Sequence, residues 1–444
     1  MKATLTLLAF LFTVCAAGFA QVVPEATGPG LPVSGNLHFD LRYSETAAFG
    51  GYQDGQQRSY ASGDAGYAND SERLPFTMQY GGGYGWTWAG PPEAGGVFQH
   101  LSLTQGIVGR SWNLTASDNV SYTFETPTTG FSGVPGSGEP IGGSGSTTPP
   151  DQTVLTLNTR MLDNITTIRF GQRLNYATTL NLGGSLGQMR FIDNNGQNTD
   201  MQTAYAGVTR RLNARNSISG RYSFARYSYS GAGFTAQANT ALFGVVRQWS
   251  RQLTTAVAAG PAWIAISGIA NTGIALPNSA MLFLDASANY KVWRGSAGVN
   301  YLRGINSGAG YLLGAKYDSI NANFSREFGR SLTVGVTGSY TRTASLIAAE
   351  LEYACSIDNV NYICLVPLNL TPATDATYGG VQATRKLGRY FNVFANYTAI
   401  DQSSNLQIAV PNTTVGYNEN ILSGLTQVIG FGIGYSPRGI HLRR

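Results

Sequence analysis

Along residues 112–124 every second position is apolar. Trp112, Leu114, Ala116, Val120, Tyr122 and Phe124 alternate with Asn113, Thr115, Ser117, Asn119, Ser121 and Thr123. A period of two belongs to an extended strand with one oily face and one wet face. Asp118 alone breaks the phase, and it calls for a local bulge or a polar partner. The alternation returns downstream. Leu332, Val334, Val336 and Tyr340 oppose Ser331, Thr333, Gly335, Thr337 and Ser339. Leu282, Leu284, Ala286, Ala288, Tyr290 and Val292 oppose Asp285, Ser287, Asn289 and Lys291. Phe391, Val393, Ala395 and Tyr397 oppose Asn392 and Asn396. In NSISGRYSFARYSY (216–229) one phase holds through Phe224 and shifts at Ala225-Arg226, which suggests a β-bulge or a strand rising past a membrane rim.

Read along the whole chain, this pattern predicts eighteen strands, near 35–46, 57–68, 74–88, 96–107, 111–125, 163–173, 178–192, 200–211, 216–229, 234–248, 253–268, 280–292, 295–305, 312–327, 331–346, 375–387, 390–403 and 421–436. Sixteen is the alternative count, because 57–68 alternates weakly. Short basic links, LNARNS, QWSRQL, VWRGS, EFGRS and LGRY, lead within a few residues into a fresh alternating run, as hairpin turns do. The links between those pairs are longer and rich in Gly, Pro, Ser and Asn. They include FIDNNGQNTD, GIANTGIALPN, the segment 346–374 and SSNLQIAVPNTTVGYNEN. The longest, 125–152, is too poor in apolar residues to fold alone. Short turns at one end and long loops at the other are the plan of an outer-membrane β-barrel, with periplasmic turns and extracellular loops.

The oily face could meet a protein core or lipid. Sandwich strands rarely exceed ten residues, and several runs here reach 12 to 15. The wet face carries Ser, Thr, Asn and Gly but few Lys or Glu, which suits a water-filled lumen. Charged residues are 12% of the chain, against roughly 25% in soluble proteins. Closing many long strands into a barrel also removes their unpaired edges. The predicted fold is therefore all-β: a single transmembrane antiparallel barrel over residues 35–436, with its oily face in lipid.

The ends of the chain fit export. Lys2, the apolar run Leu5–Val14 and Gly18-Phe19-Ala20 read as a signal peptide over residues 1–20. Residues 21–34 form an N-terminal periplasmic segment and 437–444 a basic tail. No later stretch approaches 18 uninterrupted apolar residues, so no transmembrane helix is expected. Cys355 and Cys364, inside the 346–374 loop, most simply form a local disulfide in an exported protein, since no histidine lies near them to build a metal site.

Three stretches carry a resemblance: GRSWNLTASDNVSYTFETPTTGFSGVPG (109–136), YLRGINSGAGYLLGAKYDSINANFSREFGRSLTVGVTGSYTR (301–342) and GYSPRGIHLRR (434–444). They are similar to a group of uncharacterised bacterial outer-membrane β-barrel proteins over most of residues 35–444. The resemblance implies a porin-like barrel and no assigned chemistry. The run QVIGFGIGY (427–435) resembles the terminal strand that barrel-assembly machinery reads, although this chain continues past its final aromatic residue.

Positive charge collects at the short links: Arg110, Arg210, Arg211, Arg215, Arg247, Arg251, Arg294, Arg326, Arg330, Arg385, Lys386 and Arg389. These residues either form a basic collar at the periplasmic mouth that favours anions, or simply end each strand at the water interface with their stems along apolar surface. Net charge does not choose between them: without Lys2 it is 28 basic minus 24 acidic residues, about +4. The glycines of YGGGYGWTW (80–88) precede no lysine or helix, so they make no phosphate cradle and more simply let bulky neighbours pack. Tyr84, Trp86 and Trp88 are expected at one aromatic girdle and Trp112 at the other.

The reading is a passive diffusion channel in the outer membrane, without cofactor, metal or catalytic residues. Its expected partners are outer-membrane lipid and the assembly machinery. A homo-oligomer is compatible, but no residue marks a subunit interface. Basic residues spread over many turns do not make a nucleic-acid patch. Two alternatives stay open: a plugged barrel with a surface-structural or adhesin role, and an outer-membrane hydrolase using His38 or His100 as base. Neither histidine has a recognisable nucleophile beside it in sequence.

Overall fold

A computed structural model describes residues 36–51, 55–69, 71–89, 96–125, 159–192, 198–230, 234–267, 279–306, 314–346, 351–357, 360–366, 373–404, 424–437 and 440–441. The first half holds β1 (Asn36–Phe49), β2 (Gln57–Asn69), β3 (Phe76–Ala89), β4 (Gly96–Val108), β5 (Trp112–Glu125), β6 (Thr159–Arg173), β7 (Thr178–Phe191), β8 (Asn198–Arg211) and β9 (Asn216–Ser230). The second half holds β10 (Phe234–Gln248), β11 (Leu253–Ser267), β12 (Ser279–Val292), β13 (Gly295–Asn306), β14 (Ala315–Phe328) and β15 (Leu332–Ser345). There follow the hairpin β16 (Leu351–Ile357) and β17 (Val360–Val366), then β18 (Ala373–Leu387), β19 (Phe391–Ser404), β20 (Gly424–Tyr435) and the two-residue β21 (Ile440–His441).

Eighteen of these strands pair antiparallel with their neighbours, and β20 pairs with β1 from Leu41↔Tyr435 to Phe49↔Gln427, which closes the ring. The weakly alternating segment at 57–68 is a full member, β2, so the count is eighteen and not sixteen. With a rise of about 3.3 Å per residue and a tilt near 40°, a strand of 14 residues spans about 35 Å along the barrel axis. That exceeds the apolar layer, so the strand ends reach the headgroups.

Alternation sorts every wall position. On β20 Ile429, Phe431 and Ile433 point outward and are 49%, 58% and 45% exposed, while Gly430, Gly432 and Gly434 face inward. Leu41 and Tyr43 on β1, Leu186 on β7 and Val336 on β15 are likewise exposed. An apolar skin of this extent on a closed barrel is a surface for lipid. The chain is a membrane-spanning β-barrel.

All the short basic links lie at one end. Their local chemistry explains the turns. In 174–177 the Asn175 side-chain oxygen accepts the backbone N–H groups of Ala177 and Thr178, both at 2.9 Å. In 212–215 Asn213 does the same for Arg215 and Asn216 at 2.8 and 2.9 Å, and in 249–252 Ser250 serves Gln252 and Leu253 at 3.1 and 3.0 Å. A short polar side chain thereby satisfies turn donors that the ladder leaves over. Gly329 and Gly388 supply the positive φ of the EFGRS and LGRY turns. The long links, including 126–158 and 405–423, join strands at the opposite end.

Two features depart from the expected plan. The 346–374 connection contains the hairpin β16–β17, and the C-terminal tail returns to the wall, with Ile440 and His441 pairing with Leu37 and Asn36 at the start of β1. The hairpin sets Cys355 opposite Tyr362 and Cys364 opposite Tyr353. Its side chains lie outside the described residues, and the expected disulfide with them. So do residues 1–35, which hold the expected signal peptide and N-terminal segment.

Candidate functional site

The lumen is the one surface that this architecture encloses, and β1 to β4 place a charged cluster on it. Asp40, Asp64, Gly81 and His100 stand in one register row across the four strands, all facing inward. Arg42 donates to Asp40 through Nε at 2.8 Å and through an Nη at 2.5 Å, and it lies 3.4 Å from Asp64. His100 Nε2 is 3.9 Å from Asp64 Oδ1. A Cβ at position 81 would overlap both the Asp64 carboxylate and the His100 ring, so glycine is what lets them approach. The neighbouring Gly83 makes room for Phe98. The run YGGGYGWTW thus serves packing, and its effect is to admit a charged pair on the lumen wall. Sequence reasoning missed Asp40, Arg42 and Asp64. Their common parity on β1 and β2 was the available signal.

Guanidinium groups line another arc. Arg169 on β6 and Arg221 on β9 face inward, with Tyr205 of β8 between them. Arg221 Cζ lies 4.2 Å from the Tyr205 ring centroid. The lumen wall therefore carries Asp40, Asp64 and Arg42 on β1–β2, and Asp163, Arg169 and Arg221 on β6–β9. At the long-loop end the polarity of β8 to β11 inverts. Tyr227, Tyr229, Ala236, Ala238, Ala262 and Ile264 form an apolar cluster on the inner side, while Asp200, Gln202, Arg226 and Gln237 point outward. The register passes through Ala225-Arg226 without a shift, so the phase change there is no bulge. The strands continue past the level where lipid asks for an apolar exterior.

The structure brings the twelve basic residues of the short links to one end and joins to them Arg73, Arg173 and Lys291, against Glu72 and Glu327 among the described residues. They do not all face the bore. Arg210, Arg247, Arg326 and Arg385 share the outward parity; Arg247 lies 3.8 Å over the Trp249 ring and Arg326 5.2 Å over Phe328. Arg211 and Lys386 face inward. Arg110, Arg215, Arg251, Arg294, Arg330 and Arg389 sit on the turns, where Arg294 also donates to the Gly329 carbonyl at 3.1 Å. Outward arginines on aromatic rings are the interfacial arrangement; the inward and turn residues are the ones that border the mouth.

Aromatic residues gather at two levels of the outer face. Tyr84 stacks on Trp86 and Trp86 meets Trp88 edge to face at the long-loop end, both with centroids 6.3 Å apart, and Trp88 donates to Ser59 at 2.7 Å. Trp112 stacks on Phe170 at 6.3 Å near the short turns. Asp118 faces outward near mid-strand with no bulge in its register; it has polar partners instead, accepting from Thr166 Oγ1 at 2.6 Å and Asn164 Nδ2 at 3.2 Å.

His38 and His100 both face the lumen. The Nε2 of His38 is buried without a hydrogen-bond partner among the described residues. His100 has Ser121 opposite it in the register, but its 3.9 Å separation from Asp64 exceeds a hydrogen bond, and Asp64 is engaged by Arg42. Among the described residues no cluster of three or more His, Cys, Asp or Glu side chains could hold a metal ion.

The fold and this lining define a membrane β-barrel with a charged lumen. No protein-family model matches the chain, and no curated protein matches it. Solved structures similar to it include OpdQ of Pseudomonas aeruginosa, 11% identical with a TM-score of 0.40 over 90% of this chain and 98% of that one. The outer-membrane protein OpdK of the same organism is 10% identical with a TM-score of 0.42 over 91% and 100%. The ferric-catecholate import receptor Fiu of E. coli K12 is 10% identical with a TM-score of 0.40 over 92% and 82%.

Proposed function

We propose that the chain is a porin-like channel of a bacterial outer membrane, passing small solutes by passive diffusion. The observation that carries this reading is the closure of eighteen strands around an inward face set with Ser, Thr, Asn and charged side chains. A ring of that size is wide enough for an aqueous path unless loops fill it. Selectivity would follow from fixed charge: Arg211, Lys386 and the turn arginines raise the anion concentration at the short-turn mouth.

Single-channel recording of the detergent-purified, refolded protein in a planar bilayer tests this. Stable conductance steps are expected in potassium chloride, with a reversal potential displaced toward the chloride value under a salt gradient. Silence from protein shown to be folded would overturn the open channel, and a cation-selective reversal would overturn the role given to the collar.

A further inference from the structure

Arg169 and Arg221 have features that general wall charge does not explain. On β6 Arg169 stands opposite Gly183, and Gly183 stands opposite Tyr205 on β8. A Cβ at Gly183 would lie 2.6 Å from the Tyr205 ring, so the missing side chain is what allows the ring to lie over β7. On β9 Arg221 stands opposite Gly207, which leaves its stem free to lean toward that ring. Two glycines thus set a tyrosine face beside Arg221 and bring Arg169 within its electrostatic reach.

The charged side chains nearest Arg221 in effect are Arg169, which repels it, and Asp285 on β12, which attracts it. The Nε–H groups of both arginines are buried, and neither has a hydrogen-bond partner among the described residues. Buried donors on a cation are costly to leave unpaired, and such a cluster is completed by an anion. Both side chains remain half-buried and not fully enclosed, so a solute in the bore can reach them.

We propose that Arg169, Arg221 and the face of Tyr205 form a binding site inside the lumen for a small solute bearing carboxylate or phosphate oxygens. The planar guanidinium forks match either oxyanion, and the tyrosine ring restrains Arg221 so that little side-chain freedom is lost on binding. The site deepens the channel reading, for which it supplies a class of solute, and lies within the wall, apart from the short-turn collar.

Calorimetric titration of the full-length refolded protein in detergent with citrate, and separately with inorganic phosphate, tests the site. Saturable binding is expected, weakened about tenfold or more in R169Q and in R221Q and less in R169K, which keeps the charge but not the fork, while R211Q with K386Q leaves it within about twofold. Preference for citrate would identify carboxylates as the class, and preference for phosphate the other source. Binding that survives R169Q/R221Q, or that is lost in R211Q/K386Q alone, overturns the site. Circular dichroism of each variant separates loss of binding from loss of fold; should R221Q fail to fold, R169Q and Y205L carry the test, Y205L removing the ring that restrains Arg221 and so weakening binding. The channel is judged separately. Conductance steps without arginine-dependent binding keep the channel and remove the site, whereas arginine-dependent binding without steps keeps the site and removes the channel.

Discussion

Glycine at position 81 and aspartate at 118 show how much of this wall turns on single atoms. A methyl group at 81 would strike Asp64 and His100, both held in place by neighbouring strands, so Gly81→Ala is expected to destabilise the barrel by about 1–3 kcal/mol. Gly379 on β18 faces lipid with nothing within 4 Å of its ideal Cβ, and Gly379→Ala should be neutral or slightly stabilising. Urea unfolding from lipid vesicles compares the two, and an equal loss in both would contradict the packing role assigned to Gly81. Asp118 keeps a carboxylate toward the apolar layer with Thr166 and Asn164 as its donors. Asp118→Asn retains an acceptor for Thr166 while removing the charge, so the variant should be more stable by about 1 kcal/mol. A less stable variant would mean that the charge itself is needed there.

At the scale of elements, the outer face of β13 to β18 carries a ladder that the pairing register alone reveals. Arg303, Asp318, Arg342 and Asp375 follow one another across four neighbouring strands in a single row, alternating in sign. The nearest charged atoms are 3.7 Å apart for Arg303–Asp318 and 3.9 Å for Arg342–Asp375, and Tyr301 and Tyr340 donate to the two carboxylates at 2.8 and 2.7 Å. A polar row capped from below by tyrosines is where the apolar skin ends. These groups are largely exposed, so Asp318→Asn should cost no more than about 1 kcal/mol, and less in high salt. A loss that salt does not touch would show the row to be shielded from water. The turns answer to different chemistry. Asn213→Ala removes the acceptor for two backbone N–H groups and should cost about 1 kcal/mol independently of salt, measured by the same unfolding assay.

For the whole molecule, the division of the basic residues is what matters. Arg247 and Arg326 lie on aromatic rings of the outer face, and Arg211 and Lys386 face the bore. If inward charge sets selectivity, R211Q/K386Q moves the reversal potential toward zero while R247Q/R326Q leaves it unchanged. An equal shift from both pairs would assign selectivity to the overall field of that end, and the direction in which these side chains point would then be irrelevant. The inverted polarity of β8 to β11 belongs to this scale too, since it narrows the description of the bore: its long-loop end is packed with apolar side chains on that arc, and its polar stretch lies nearer the short turns.

Strand number, strand limits and the in–out parity of most positions were legible in the chain, because a period of two is a local property and lipid outside with water inside imposes it along every strand. The short Asn- and Gly-bearing links told which strands are hairpin partners for the same local reason. What needed the tertiary structure was everything that depends on register between strands distant in sequence. Arg221 reaches the Tyr205 ring, and Arg169 shares their row, only because Gly183 and Gly207 fall opposite them. Asp118 finds Thr166 and Asn164 across a loop of more than thirty residues. Alternation says on which side of the wall a side chain stands; which neighbours it finds there is set by the stagger of the closed ring, a property of all eighteen strands together.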